Sequence, residues 1–200
     1  YGDKIYIVGG RINTSLQVSN TVWEYDTVTN TYAEKASMPT PRSHAMNAIV
    51  EGIMYVMGGY DGSTFNVRTV EGYDIANDTW DTYQDMPTGR GDVDKAIVYN
   101  NLIYTIGGFN NTDATNVVEV YNPSSDFWTV GYAPLPTLRD SMGLGIWQDQ
   151  IYVLGGYDRS DQIVTVEVYN ITDDAWYSLS DLQSPKENPT VAVFGDQLFI

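Results

Sequence analysis

The stretch Leu102–Arg139, LIYTIGGFNNTDATNVVEVYNPSSDFWTVGYAPLPTLR, decides the fold. It holds an apolar run, a Gly107-Gly108 doublet, a polar loop and a second apolar run ending on Tyr121, followed by Trp128, Leu135-Pro136 and Arg139. The rest of the chain repeats it. Doublets stand at Gly9-Gly10, Gly58-Gly59, Gly107-Gly108 and Gly155-Gly156, with steps of 49, 49 and 48 residues. A tyrosine followed by Asp or Asn recurs at Tyr25, Tyr73, Tyr121 and Tyr169, and seven residues after each stands Tyr32, Trp80, Trp128 or Trp176. Four landmarks held in step through four copies define a repeat protein.

Within each copy, the short apolar runs ahead of the doublets (Lys4–Val8, Ile53–Met57, Ile103–Ile106, Ile151–Leu154) have the length and β-branched content of strands. The glycines mark a place where backbone approaches closely or a side chain stacks. A second strand follows the polar loop, as in Thr21–Tyr25, whose residues alternate with period two. Turns rich in Asp, Asn and Thr come next: Asp26–Asn30, Asp74–Asp78, Asn122–Asp126 and Asn170–Asp174. A third strand starts at the aromatic slot and ends near proline in Met38-Pro39-Thr40-Pro41-Arg42, Met86-Pro87-Thr88-Gly89-Arg90 and Leu135-Pro136-Thr137-Leu138-Arg139. The apolar runs Ala45–Val50, Lys95–Tyr99, Met142–Trp147 and Val191–Phe194 supply a fourth. No helical period is present. The fold class is all-β, with four-stranded antiparallel sheets arranged radially as the blades of a propeller.

The Gly-Gly strand end, the Tyr-Asp, the aromatic seven residues on and the Met-Pro-x-x-Arg connector, at about 50 residues per copy, resemble the kelch family. The resemblance covers the whole chain and implies a kelch propeller, commonly of six or seven blades. The repeats fall at 1–42, 43–90, 91–139 and 140–188, with a further one opening at 189–200. Residues 1–7, YGDKIYI, match residues 194–200, FGDQLFI, so the chain starts and stops at the same point of the repeat. The expectation is about four blades' worth of a larger ring, or copies that assemble to close one.

Composition narrows the partners. A net charge of −16 repels phosphate backbones, which disfavours nucleic acid and anionic membrane. No run of 18 apolar residues is present, so no transmembrane helix is expected, and the first residues do not read as a signal peptide. Absent cysteine excludes disulfides and thiolate ligands within these residues. It suits a reducing cytosol or export in a prokaryote, and the compartment stays open between them. Asn13-Thr14-Ser15, Asn77-Asp78-Thr79, Asn110-Asn111-Thr112 and Asn170-Ile171-Thr172 match the glycosylation pattern, which Asn/Thr-rich loops generate freely.

Strand parity puts the post-doublet loops and the arginine connectors on one face of the disc. Arg42, Arg90 and Arg139, three of six arginines, share one slot. Pointing inward they would form a cationic collar for a carboxylate of a peptide or sugar. Otherwise each braces its connector through carbonyls or an acid such as Asp92 or Asp140. The fourth connector, Ser184–Asn188, lacks the arginine. Variable post-doublet loops are where specificity usually sits. They offer Tyr60, Phe65, Phe109, Tyr157 and Arg159 as contacts. Tyr60, Phe109 and Tyr157 share a repeated slot that also fits blade packing, whereas Phe65 is not repeated. His44, the only histidine, is a candidate contact or a hydrogen-bonded loop residue, and alone it builds no His-based metal site or triad. The oxygen-rich Asp158/Asp161 and Asn110/Asn111/Asp113 clusters read as turns more readily than as Ca²⁺ sites. Trp80, Trp128 and Trp176 are expected in the core, over the glycine doublets.

No catalytic residue, metal or cofactor is assigned. The leading expectation is a non-catalytic module that binds a protein, or an acidic peptide or sugar, on the loop face. The alternative is a sugar-processing enzyme. Resemblance to bacterial sialic acid mutarotases would imply Arg90 with Asp92 or Asp94, or Arg139 with Asp140. The copper site of galactose oxidase is not matched here, nor is the Glu/Asp/His iron pattern of specifier proteins.

Overall fold

The inner-to-outer order of strands follows the chain in every sheet. A computed structural model describes residues 1–12, 17–93 and 95–200; the Asn13-Thr14-Ser15 pattern and Asp94 lie outside the described residues. The first sheet has three strands, β1 (Lys4–Val8), β2 (Val22–Asp26) and β3 (Thr31–Lys35). The second is β4 (Met46–Val50), β5 (Ile53–Met57), β6 (Val70–Asp74) and β7 (Thr79–Tyr83). The third is β8 (Ile97–Tyr99), β9 (Leu102–Ile106), β10 (Val118–Asn122) and β11 (Phe127–Thr129). The fourth is β12 (Gly143–Trp147), β13 (Gln150–Leu154), β14 (Val166–Asn170) and β15 (Ala175–Ser178), and β16 (Ala192–Phe194) with β17 (Gln197–Phe199) forms a final pair. All pairings are antiparallel, as in β5 with β6, where Tyr55 faces Gly72. The kelch propeller expected from the repeat is therefore the fold. The inner strands β4, β8, β12 and β16 pack in succession. Middle strands such as β10 are buried on both faces between neighbouring sheets, while outer β3 and β15 are largely exposed.

Two side-chain devices join the blades. The first uses the tyrosine–aromatic pair. Tyr121 donates its hydroxyl to Asp126 at 2.7 Å, and Asp126 accepts the Gln84 N–H of the preceding blade at 2.7 Å. Trp128, stacked on Tyr121, donates Nε1–H to the carbonyl of that same Gln84 at 2.9 Å. Tyr73, Asp78 and Trp80 grip Ala36 in the same way, as Tyr169, Asp174 and Trp176 grip Ala133. The first sheet departs from the pattern, with Asn30 and an exposed Tyr32 in the equivalent slots.

The second device is the connector, and it explains the doublets. Carbonyl oxygens of Arg42, Arg90, Arg139 and Lys186 accept N–H from Gly10, Gly59, Gly108 and Gly156 at 2.7–3.0 Å. A Cβ on Gly58 would lie 2.1 Å from the Arg90 oxygen, and Gly58 has φ +63°. Only glycine meets both demands. The tryptophans expected over the doublets are not the atoms pressed against them: a Cβ on Gly9, Gly58, Gly107 or Gly155 would lie 2.1–2.7 Å from the carbonyl oxygen of Arg42, Arg90, Arg139 or Lys186, because a backbone carbonyl enters there.

Candidate functional site

Built from the connectors, the loop face has a sealed layer and an accessible one. Arg42, Arg90 and Arg139 form the sealed layer, each at most 1% exposed. Every guanidinium makes an ion pair with a glutamate on the third strand of the following blade: Arg42 with Glu71, Arg90 with Glu119, Arg139 with Glu167. The remaining donors go largely to backbone. Arg139 Nη1 donates to the Gly155 and Thr165 carbonyls at 2.8 and 3.1 Å, and Arg42 to those of Gly58 and Thr69 at 3.2 and 2.8 Å. Each carboxylate also accepts from a connector hydroxyl, Thr40, Thr88 or Thr137, at 2.7–2.8 Å. Burial pulls all three arginine pKa values down, and the paired glutamates oppose it.

The structure thus corrects the arginine collar. These guanidinium groups are buried inside the blades, out of a ligand's reach even where the Nε of Arg42 and Arg90 has no hydrogen-bond partner among the described residues, and their ion-pair partners are neither Asp92 nor Asp140. Glu71, Glu119 and Glu167 are not among the residues singled out from the sequence, although each stands two residues before a repeat tyrosine, in the copy that follows an arginine-bearing connector.

Above this layer lies a backbone collar. His44, Asp92, Ser141 and Asn188, each two residues after a connector's fifth position or its equivalent, all have φ between 51° and 62°. Asp92 N–H donates to His44 O at 3.0 Å, Ser141 to Asp92 and Asn188 to Ser141 at 2.7 Å. His, Asp and Asn tolerate this left-handed conformation better than most residues. Short bridges hang the post-doublet loops from the collar: Ser43 with Tyr60, Gly91 with Phe109, Asp140 with Tyr157.

The accessible layer rests on those bridges, and there the other candidates come together. Phe65 has its centroid 4.7 Å from Tyr60, 5.6 Å from His44 and 5.3 Å from Phe109. Its N–H is held by Asn111 Oδ1 of the next loop at 2.7 Å. Arg159 lies over Phe109, its Cζ 3.5 Å from the ring centroid, and 5.7 Å from that of Tyr157. The result is one ribbon, His44–Phe65–Phe109–Arg159, crossing three blades. Tyr60 is buried at 7% exposure, which makes it the ribbon's floor, whereas His44, Phe65, Phe109, Tyr157 and Arg159 are half-buried.

Arg159 ends between two carboxylates, one from the preceding repeat and one from its own: Nη2 donates to Asp92 at 3.0 Å, and Nε lies 2.6 Å from Asp140 Oδ2 as an ion pair without hydrogen-bond alignment. Asp140 is fully buried, and desolvation raises its pKa to about 6 from 3.8, against the lowering pull of Ser141 and Arg159. A carboxyl whose folded pKa exceeds its unfolded one holds its proton more tightly when folded. Its stabilising share is therefore complete below about pH 4 and fades as pH rises through about 6. The difference in melting temperature between wild type and Asp140→Asn should fall across that window and level off above it.

Asp158 Oδ1 accepts Ser160 and Asp161 N–H at 2.8 Å, and Asn110 Oδ1 accepts Thr112 and Asp113 N–H at 3.0 and 3.1 Å. These oxygens are engaged in turns. A cavity of about 300 Å³, lined among others by Tyr6, Val8, Met38, Arg42 and the ribbon's His44, lies beside β1, which among the described residues has no strand paired on its inner edge. It is a gap between sheets and leaves the ribbon as the candidate surface.

Comparison with known proteins agrees with this architecture. A family model for the Attractin/LZTR1 beta-propeller matches residues 1–200. The Kelch-like protein terF of Aspergillus terreus is 35% identical over 63 residues, which is 30% of this chain and 14% of terF. The solved structure of YjhT superposes with a TM-score of 0.78 at 16% identity, over 94% of this chain and 65% of that one. The chain thus spans less than two thirds of either protein.

Proposed function

Because the chain belongs to the Attractin/LZTR1 β-propeller family, of kelch type, we propose that it is a binding module whose partner, a protein, docks on the His44–Phe65–Phe109–Arg159 ribbon. The observation that carries this reading is Phe65. It is not part of the repeat, it joins two loops, and it stays half-buried where a packing residue would be covered. Partly exposed aromatics on a rigid frame are efficient anchors for a partner.

An acidic peptide or sugar would need a free cation on this face. Of the arginines named as candidates, only Arg159 reaches it, and Asp92 and Asp140 already neutralise it. A mutarotase-like site is weakened for the same reason, since Arg90 and Arg139 are committed to Glu119 and Glu167. Panning a random displayed-peptide library on the protein tests the proposal. Selected peptides should bind Phe65→Ala at least about tenfold more weakly, roughly the 1.4 kcal/mol of a modest hot spot. A Glu51→Ala change on the opposite face should leave binding unchanged. Peptides indifferent to Phe65, or a thermal shift with sialic acid but none with peptide, would count against the reading.

A further inference from the structure

The contacts of Arg159 describe a receptor and an occupant that are held very differently. The receptor is fixed to the scaffold. Asp140 is tied through both backbone groups to Tyr157, and its Oδ1 accepts from Ser141 Oγ at 2.8 Å. Asp92 belongs to the backbone collar, with N–H bonded to His44 and carbonyl to Ser141. Phe109 exchanges both its backbone groups with Gly91. The occupant is held by little besides its head group. Arg159 stands at the tip of the Asp158–Asp161 turn with φ +75°, its side chain 29% exposed, and its own backbone makes no backbone hydrogen bond among the described residues.

We propose that Asp92, Asp140 and the face of Phe109 form a guanidinium receptor, filled in this chain by its own Arg159, and that an arginine side chain of the protein partner takes that place. This deepens the binding reading above and rests on it. Two carboxylates facing one aromatic ring suit a planar fork of N–H donors, which can stack and pair at once; an ammonium can do only the pairing. Two acids against one internal cation leave the receptor net negative. Asp158 and Asp161 of the same turn, with Asp61 and Asp113 on the neighbouring loops, extend that charge. An incoming arginine is attracted, and a carboxylate is repelled. The partner is therefore a protein segment presenting an arginine, with an apolar neighbour for Phe65. Arg159 keeps the receptor's carboxylates paired until that segment arrives, and as a tethered competitor it lowers the partner's apparent affinity.

The test compares wild type with Arg159→Ala, titrating an acetylated tripeptide with a central arginine, followed by NMR at about 0.15 M salt. Emptying the receptor should tighten binding by about tenfold or more. The lysine tripeptide should gain markedly less, and adding Phe109→Leu or Asp92→Asn to Arg159→Ala should cancel the gain. An Arg159→Ala protein that binds the arginine tripeptide no better than wild type overturns the proposal. So does equal gain with lysine, or a glutamate tripeptide that binds wild type and loses affinity in the variant. Should the variant be too unstable to titrate, its melting temperature in millimolar methylguanidinium, at constant ionic strength, gives the same answer. A rise absent from wild type supports the receptor, and no rise refutes it. If displayed peptides still depend on Phe65 while Arg159→Ala gives no gain, the binding surface stands and only its arginine chemistry falls.

Discussion

An Arg90→Ala variant is expected to lose about 3–5 kcal/mol of unfolding free energy, the loss typical when one member of a buried ion pair is removed. Arg90 is wholly buried and Glu119 is 2% exposed. Without the guanidinium, the Glu119 carboxylate keeps the Thr88 hydroxyl, and the carbonyl and hydroxyl of Thr105 lose their charged donor. The connector also loses the anchor that links its carbonyl, bound to Gly59, with the next blade. Replacing Arg90 and Glu119 together by apolar residues of similar volume should restore much of the loss, since what destabilises is the uncompensated charge. Urea denaturation of the two variants decides the matter. A loss under about 1 kcal/mol, as for an exposed pair, would mean that Arg90 is accessible after all and would reopen its candidacy for a ligand.

Trp128→Ala should cost a similar amount, about 3–5 kcal/mol, through lost burial and the cavity left behind. Trp128 is 5% exposed and packs on Tyr121 at 5.0 Å. Trp128→Phe should keep most of that packing and lose chiefly the bond to the Gln84 carbonyl, about 1 kcal/mol. The control is built into the repeat. Tyr32 holds the equivalent position but is 64% exposed, so Tyr32→Ala should change stability by no more than about 0.5 kcal/mol. Equal losses at Tyr32 and Trp128 would break the link drawn here between the aromatic slot and the grip on the preceding blade.

These two predictions mark how far the sequence could be read. The period of 48–49 residues placed the strands, because strand, turn and doublet each have a local chemical signature repeated in step. Periodicity also showed that Arg42, Arg90 and Arg139 share a role. It could not show which way they point, since the partner glutamates lie 28 or 29 residues downstream on another blade. Phe65 and Arg159 were legible as candidates because the first is absent from the repeat and both lie in variable loops. Their company was not legible. Arg159 meets Asp92 67 residues away, a separation that matches no multiple of the repeat, and only the curvature of the blades brings the two together.

Docking on the ribbon over the loop face is best checked by amide hydrogen exchange, compared with and without a peptide selected on the protein. Exchange should slow in residues 60–65, 91–93, 109–114 and 157–162 and stay unchanged in the opposite turns at 51–52, 100–101 and 148–149. Protection confined to those opposite turns, or to the gap beside β1, would contradict it.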